Sequence, residues 1–214
     1  MNPSLTINIR LHKINPGTPV SEAAAREMLN AAHSLIQAAH GHSSDGIKQN
    51  WFGACGKSKT GEIDERAKKI DIYLQGLKTI SLSCAGVEGS IAAYNQKDRE
   101  KVEGGAPLGQ LDKLPLIILN QGFHSDRYSW GEKVCSIVHE ITHMTIGTSD
   151  EKYGGDDAYG AVICEKLAAE KPDDAYKNAD NWAYYFGSYY QHTPDTAKDW
   201  RYMTAAEVAT RPPL

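Results

Sequence analysis

Val134-Cys135-Ser136-Ile137-Val138-His139-Glu140-Ile141-Thr142-His143 is the stretch on which the fold turns. Val134, Ile137, Val138 and Ile141 recur at i, i+3, i+4 and i+7, so one face of a helix is apolar and seats in a core. His139 and His143 are four residues apart. On a helix they stand one above the other, and both imidazoles reach one metal ion. Glu140 flanks that face, placed to hold and deprotonate a water molecule. The His-Glu-x-x-His pattern is short and also arises by chance, in which case this is a surface helix with a coincidental His pair.

A catalytic zinc takes three protein ligands and keeps a fourth position open. The next residues, Gly147-Thr148-Ser149-Asp150-Glu151-Lys152-Tyr153-Gly154, offer the third. Gly147 can end the helix in a left-handed conformation and turn the chain back, which carries the Asp150 carboxylate towards the metal. Tyr153 follows three residues later and can aim its hydroxyl at an oxyanion.

Outward from this helix, the chain reads as one α+β domain, mainly helical with a small mixed sheet. Alternation in Leu5 to Leu11 predicts a first strand. Thr18-Pro19 reads as a helix start. Met28, Ala31, Ala32, Leu35, Ile36 and Ala39 then keep helical spacing up to Gly41. A turn-rich stretch from Gly53 to Gly61 precedes a helix over Ile63 to Leu77. Thr79 to Cys84, Ser90 to Tyr94 and Leu114 to Leu119 are strand candidates. The last is either a core strand or an edge to which an extended peptide adds. From Trp130 the pattern is helical again, broken at Gly147, at Gly154-Gly155 and at Lys171-Pro172.

With 41% apolar and 23% charged residues in 214, the chain can bury a real core. A net charge of -4 with scattered Lys and Arg excludes a nucleic-acid footprint. No apolar run is long enough to span a bilayer. Cys55, Cys84, Cys135 and Cys164 form no CxxC pair, so they are disulfides or buried thiols and not a structural zinc cage. His33, His40 and His42 read as solvated or capping side chains, with a weak metal site as the alternative. His124 is a candidate for the cleft rim. The aromatic residues Trp182, Tyr184, Tyr185, Tyr189, Tyr190, Trp200 and Tyr202 read as core packing.

His-Glu-x-x-His followed by Gly-Thr-x-Asp-x-x-Tyr-Gly is far more specific than either half. Lys166-Leu167-Ala168, Lys171-Pro172-Asp173-Asp174-Ala175, Asn178-Ala179-Asp180-Asn181 and Tyr184-Tyr185-Phe186 continue the pattern, and Trp51-Phe52-Gly53 adds to it. Together they resemble the aspzincin metallopeptidases, the family of deuterolysin and peptidyl-Lys metalloendopeptidase. The resemblance runs strongly from Val134 to Phe186, more weakly back to Trp51, and not into the first 40 or so residues or the tail.

The resemblance implies a zincin-like peptidase fold over 1–214. Residues 1–45 supply an N-terminal strand and helix, 46–190 the catalytic region and 191–214 a tail. It implies one zinc ion on His139, His143 and Asp150, with Glu140 as general base for a zinc-activated water and Tyr153 on the oxyanion. The substrate is then a polypeptide, and the protein is expected to act as a monomer. In Lys-specific members an Asp and, three residues on, a Glu line the pocket for the side chain after the cut. Asp180 matches the first and Ala183 replaces the second. Asp180 therefore meets Lys or Arg with weakened discrimination, or is a surface or capping carboxylate. Cys84 falls near a family cysteine whose partner is missing around 120–123, so that bridge is expected to be lost, while Cys135 and Cys164 either pair or pack. The N-terminus does not read as a signal peptide. The expectation is therefore an exported effector or toxin without a cleaved signal, with a narrow cytoplasmic peptidase as the alternative. Two other readings stand beside the endopeptidase: a zinc amidase acting on peptidoglycan cross-links, and an inactive peptide-binding protein of the same fold.

Overall fold

The structure is a computed structural model and describes residues 8–13, 22–77, 79–84, 92–93, 116–119 and 128–190. In chain order the elements are β1 (Asn8–Lys13), α1 (Glu22–Gly41), α2 (Asp45–Phe52), α3 (Ala54–Ser58), α4 (Thr60–Gly76), β2 (Thr79–Cys84), β3 (Ala92–Ala93) and β4 (Leu116–Leu119). They continue with α5 (Trp130–Ile146), β5 (Lys152–Tyr153), β6 (Asp156–Asp157), α6 (Ala161–Glu170), α7 (Pro172–Lys177) and α8 (Ala179–Gly187). Thr18-Pro19, His124, Trp200 and Tyr202 lie outside the described residues.

Helix α5 has a clear local cause at each end. Ser129 Oγ accepts from Glu132 N–H at 3.2 Å, and Ser129 N–H donates to Glu132 Oε2 at 2.9 Å, forming a reciprocal capping box. Such a cap is worth about 1 kcal/mol. At the other end Gly147 takes φ 66° and ψ 41°, the left-handed stop expected of it. Between them Val134, Ile137, Val138 and Ile141 are fully buried. Each such side chain contributes about 1.5–3 kcal/mol by leaving water. The helix packs against α8, α1 and α4, so the ligand-bearing face is held by apolar contacts on its opposite side.

The four-stranded sheet runs β1-β2-β4-β3, parallel at β1–β2 and β2–β4 and antiparallel at β3–β4, hence mixed. The third predicted strand, β4, is not a free edge over its whole length. Ala92 and Ala93 pair with Leu119 and Ile118, so β3 lies outside it.

The stretch expected to be turns, Gly53 to Gly61, is helical instead, in α3 and the start of α4. Trp51, Phe52, Trp182, Tyr185, Phe186 and Tyr189 form the centre of the core. The Phe52 and Trp182 rings lie 4.8 Å apart, and Trp51 stacks on Tyr184 at 5.3 Å. Two polar pairs join the helices, the first part-buried and the second buried. Lys48, fully buried in α2, reaches Asp64 of α4 at 2.7 Å. His33 is also buried, and its Nε2 lies 2.9 Å from Asp71 Oδ1, joining α1 to α4. His33 is thus a paired core residue, where solvation or capping was expected. Cys135 and Cys164 do not bridge. Their thiols approach Ala183 O at 3.7 Å and Ala158 O at 3.5 Å, and with Cys55 they are small buried core groups. Among the described residues, no helix is long and apolar enough to cross a membrane.

Candidate metal centre

Three donor atoms from two parts of the chain meet beside α5. His139 Nε2 and His143 Nε2 are 2.9 Å apart, and Asp150 Oδ1 is 3.2 Å from the first and 3.4 Å from the second. The two rings converge because four residues make about one helical turn. The carboxylate arrives because Gly147 reverses the chain and the next segment lies against the end of α7. Ser149 N–H donates to Lys177 O at 3.0 Å, and Ala179 N–H donates to Ser149 O at 2.9 Å. Glu140 is buried beside them, its Oε1 3.9 Å from His139 Nε2. Among the described residues, His139, Glu140 and His143 form a group whose ligand atoms all lie within 4.8 Å of one another.

Hydrogen bonding decides which ring nitrogens face the centre with a lone pair. His139 Nδ1 meets the carboxylate oxygen Asp180 Oδ1 at 2.6 Å, and His143 Nδ1 meets the carbonyl oxygen of Thr148 at 2.8 Å. Both partners accept, so both Nδ1 atoms carry a proton and both Nε2 atoms are left as acceptors. Two such nitrogens and a carboxylate oxygen at these separations repel one another unless a cation lies among them. A tetrahedral zinc bound at about 2.0–2.1 Å spaces its ligand atoms about 3.3 Å apart, and the three atoms fit that spacing.

The electrostatics of the site make the same demand for positive charge. Burial alone would lower the His139 pKa, but the hydrogen bonds to Asp150 and Asp180 outweigh it, and the ring is pushed up to about 10. Burial would raise the Asp150 carboxyl, yet its bonds to His139 and His143 hold it far below the usual carboxylate range. In metal-free protein a proton answers this demand, and a divalent ion takes its place.

Asp180 occupies a position different from the one expected of it. One of its oxygens accepts from His139 Nδ1, and the other accepts from Gly160 N–H at 2.8 Å. A carboxylate so placed can orient a metal-ligating ring, a role its local sequence does not announce. Sequence could not reveal it, because the partner lies 41 residues away. Asp180→Ala is expected to weaken zinc binding about 10–100-fold, the usual loss for such an outer partner. Competition with a chromophoric chelator checks this. Unchanged affinity with altered cleavage preference would return Asp180 to the substrate pocket.

With this geometry in place, comparison with known proteins is informative. A sequence model of the aspzincins, described as lysine-specific metallo-endopeptidase, matches residues 37–187. The chain belongs to the aspzincin family. Aspzincins are zinc-dependent peptidases, and the matched span contains His139, Glu140, His143, Asp150 and Asp180. Over 50 residues the chain is 38% identical to the peptidyl-Lys metalloendopeptidase of Armillaria mellea, a match covering 23% of this chain and 13% of that protein. A zinc peptidase from Grifola frondosa is similar in structure, covering 78% of this chain and 96% of its own, at TM-score 0.48 and 18% identity.

In this aspzincin the tyrosine whose ring meets a ligand histidine is Tyr159. Tyr153 donates its hydroxyl to Glu170 Oε1 at 2.8 Å and packs on the small cluster of Ala158, Leu167, Ala168 and Ala175. The Tyr159 ring meets His139 edge-on, with centroids 5.9 Å apart. Burial raises the Tyr159 phenol, and Asp150, Asp157 and Asp180 add to the shift, so it stays a proton donor far above its ordinary range. The ring is nevertheless 44% exposed, open to a ligand entering from solvent. Between Asp150 and Tyr159 the chain makes a short hairpin, β5–β6, turning at Gly154 and Gly155 with φ 67° and 102°. Positive φ at both central residues is what a two-residue hairpin turn asks for. In the sequence a second Tyr-Gly pair, Tyr159-Gly160, follows Gly154-Gly155-Asp156-Asp157-Ala158.

Proposed function

We propose that this chain is a zinc-dependent endopeptidase acting through His139, His143 and Asp150 as metal ligands, Glu140 as general base and Tyr159 as oxyanion donor. The observation that carries this reading is the convergence of the three donor atoms within 3.4 Å, with the buried Glu140 carboxylate beside them. Membership of the aspzincin family supports the choice of peptide bonds as substrate.

When bound, zinc supplies Lewis-acid polarisation of the scissile carbonyl and a lowered pKa for the attacking water. The protein supplies the rest. Glu140 accepts a proton from the water as its oxygen adds to the carbonyl carbon, then delivers that proton to the amine nitrogen as the C–N bond breaks. The Tyr159 hydroxyl donates to the oxygen that gains charge in the tetrahedral state. Asp180 and the Thr148 carbonyl keep the two imidazoles in the tautomer that turns Nε2 inward.

The family and the Armillaria relative are named for lysine, and a preference for Lys or Arg after the cut belongs to this proposal. With both Asp180 oxygens engaged and Ala183 buried, the discrimination is expected to be weak.

Digestion of a denatured protein by wild type, Tyr159→Phe and Tyr153→Phe tests both points. Loss of one oxyanion donor costs about 10²–10³ in kcat. Tyr159→Phe is expected to fall in that range with KM little changed, while Tyr153→Phe stays within about twofold of wild type. The reverse order would restore Tyr153 to the site. The wild-type cuts should show Lys and Arg enriched but not exclusive, and exclusive cutting before lysine would require another carboxylate in the pocket.

A further inference from the structure

Asn178 stands at the N-cap position of α8, where an Asn side chain ordinarily accepts a hydrogen bond from the first turn of its helix. It makes no such bond. Its fully buried amide turns instead towards the base of the β5–β6 hairpin. Asn178 Oδ1 accepts from Glu151 N–H at 3.0 Å, and Asn178 Nδ2 donates to Ala158 O at 3.0 Å. Ala158 N–H donates to Glu151 O at 2.7 Å, closing the same base through the backbone. One side chain therefore grips both ends of the hairpin. The residue just before that base is Asp150, and the residue just after it is Tyr159.

The amide is itself locked against rotation. Nδ2 also donates to Asn181 Oδ1 at 2.8 Å, and Asn181 Nδ2 donates to Trp51 O at 2.7 Å and Cys164 O at 2.9 Å. A flipped Asn178 amide would place its NH2 group against Glu151 N–H and its oxygen against two acceptors, so only one orientation satisfies the network.

We infer that Asn178 is a positioning residue. By fixing the hairpin base it sets the Asp150 carboxylate against the two histidines and the Tyr159 ring against His139, although a hairpin separates the two in sequence. The inference rests on the metal-site reading above. It assigns a role to an asparagine that touches neither metal nor substrate, and it explains why a useful helix cap goes unused.

The test compares zinc dissociation constants, by chelator competition at a temperature where circular dichroism shows each protein folded, for wild type, Asn178→Ala, Asn178→Asp and Asp71→Asn. Asn178→Ala is expected to weaken zinc about 10–100-fold, as loss of an outer partner does. Asn178→Asp keeps an oxygen for Glu151 N–H and should retain more of the affinity. Asp71→Asn breaks a buried pair remote from the hairpin and lowers the melting temperature, but should leave zinc affinity within about twofold, well short of the loss expected for an outer partner. Wild-type affinity in both Asn178 variants overturns the inference, and so does an equal loss in Asp71→Asn, which would mark a merely global effect. A wild type that binds no zinc overturns the site reading itself, and the inference with it. If the Asn178 variants do not fold, hydrogen exchange of wild type decides. Glu151 and Ala158 amides as protected as those within α5 support the clasp, and loop-like exchange there overturns it.

Discussion

Glu140→Gln is expected to keep one zinc per chain and lose about 10³-fold in kcat on a peptide substrate, within the range of a lost general base. The substitution is nearly isosteric, so the buried site beside His139 is not emptied. The amide cannot take a proton from water, nor return one to the leaving nitrogen. The ligand set is untouched, because His139, His143 and Asp150 meet without it. Steady-state kinetics together with metal content check the two halves separately. A variant that cuts as fast as wild type would remove Glu140 from the mechanism. One that loses its zinc would make Glu140 a ligand instead.

Asp150→Asn is expected to cost more in binding than any outer-partner change, over about 100-fold in zinc affinity, and activity should vanish with the metal. The amide has nearly the same shape but no charge, and its NH2 group is a poor neighbour for a cation. The arrangement shows why the charge matters. As metal ligands the two imidazoles are neutral and provide no countercharge, so the Asp150 carboxylate must supply it. Because zinc binds the folded chain, its loss also removes the stabilisation that saturating metal adds, so the variant's melting temperature should stop responding to zinc. Thermal melts with and without zinc check this. A variant whose melting temperature still rises with zinc as wild type's does would mean that Asp150 is not a ligand.

Much of this centre is legible because its information is local. The i, i+4 His pair, the apolar stripe from Val134 to Ile141 and the stop at Gly147 all follow from one helical period. The strands at Thr79 to Cys84 and Leu116 to Leu119 are equally local, as alternation or as a short apolar run. What escaped depends on distant partners. Gly56 reads as a turn, yet α3 passes so close to α2 that a side-chain carbon there would lie 2.3 Å from Lys48 O. Its glycine serves a helix contact. Asp180 reads as a surface or pocket carboxylate because nothing nearby announces His139. Tyr153 satisfies the family spacing, while the hairpin turning at Gly154-Gly155 brings the Tyr159 ring back to His139. These cases have one origin: a residue whose local pattern allows two fates is placed by a contact formed in the fold.

The most direct test of the central claim is to strip the wild-type chain with a chelator and titrate zinc back while following peptide-bond cleavage. If His139, His143 and Asp150 hold a single catalytic ion, cleavage is absent at the start, rises in proportion to added zinc and reaches its plateau at one ion per chain. Cleavage that survives stripping, or zinc that binds at this stoichiometry without restoring any, would contradict it.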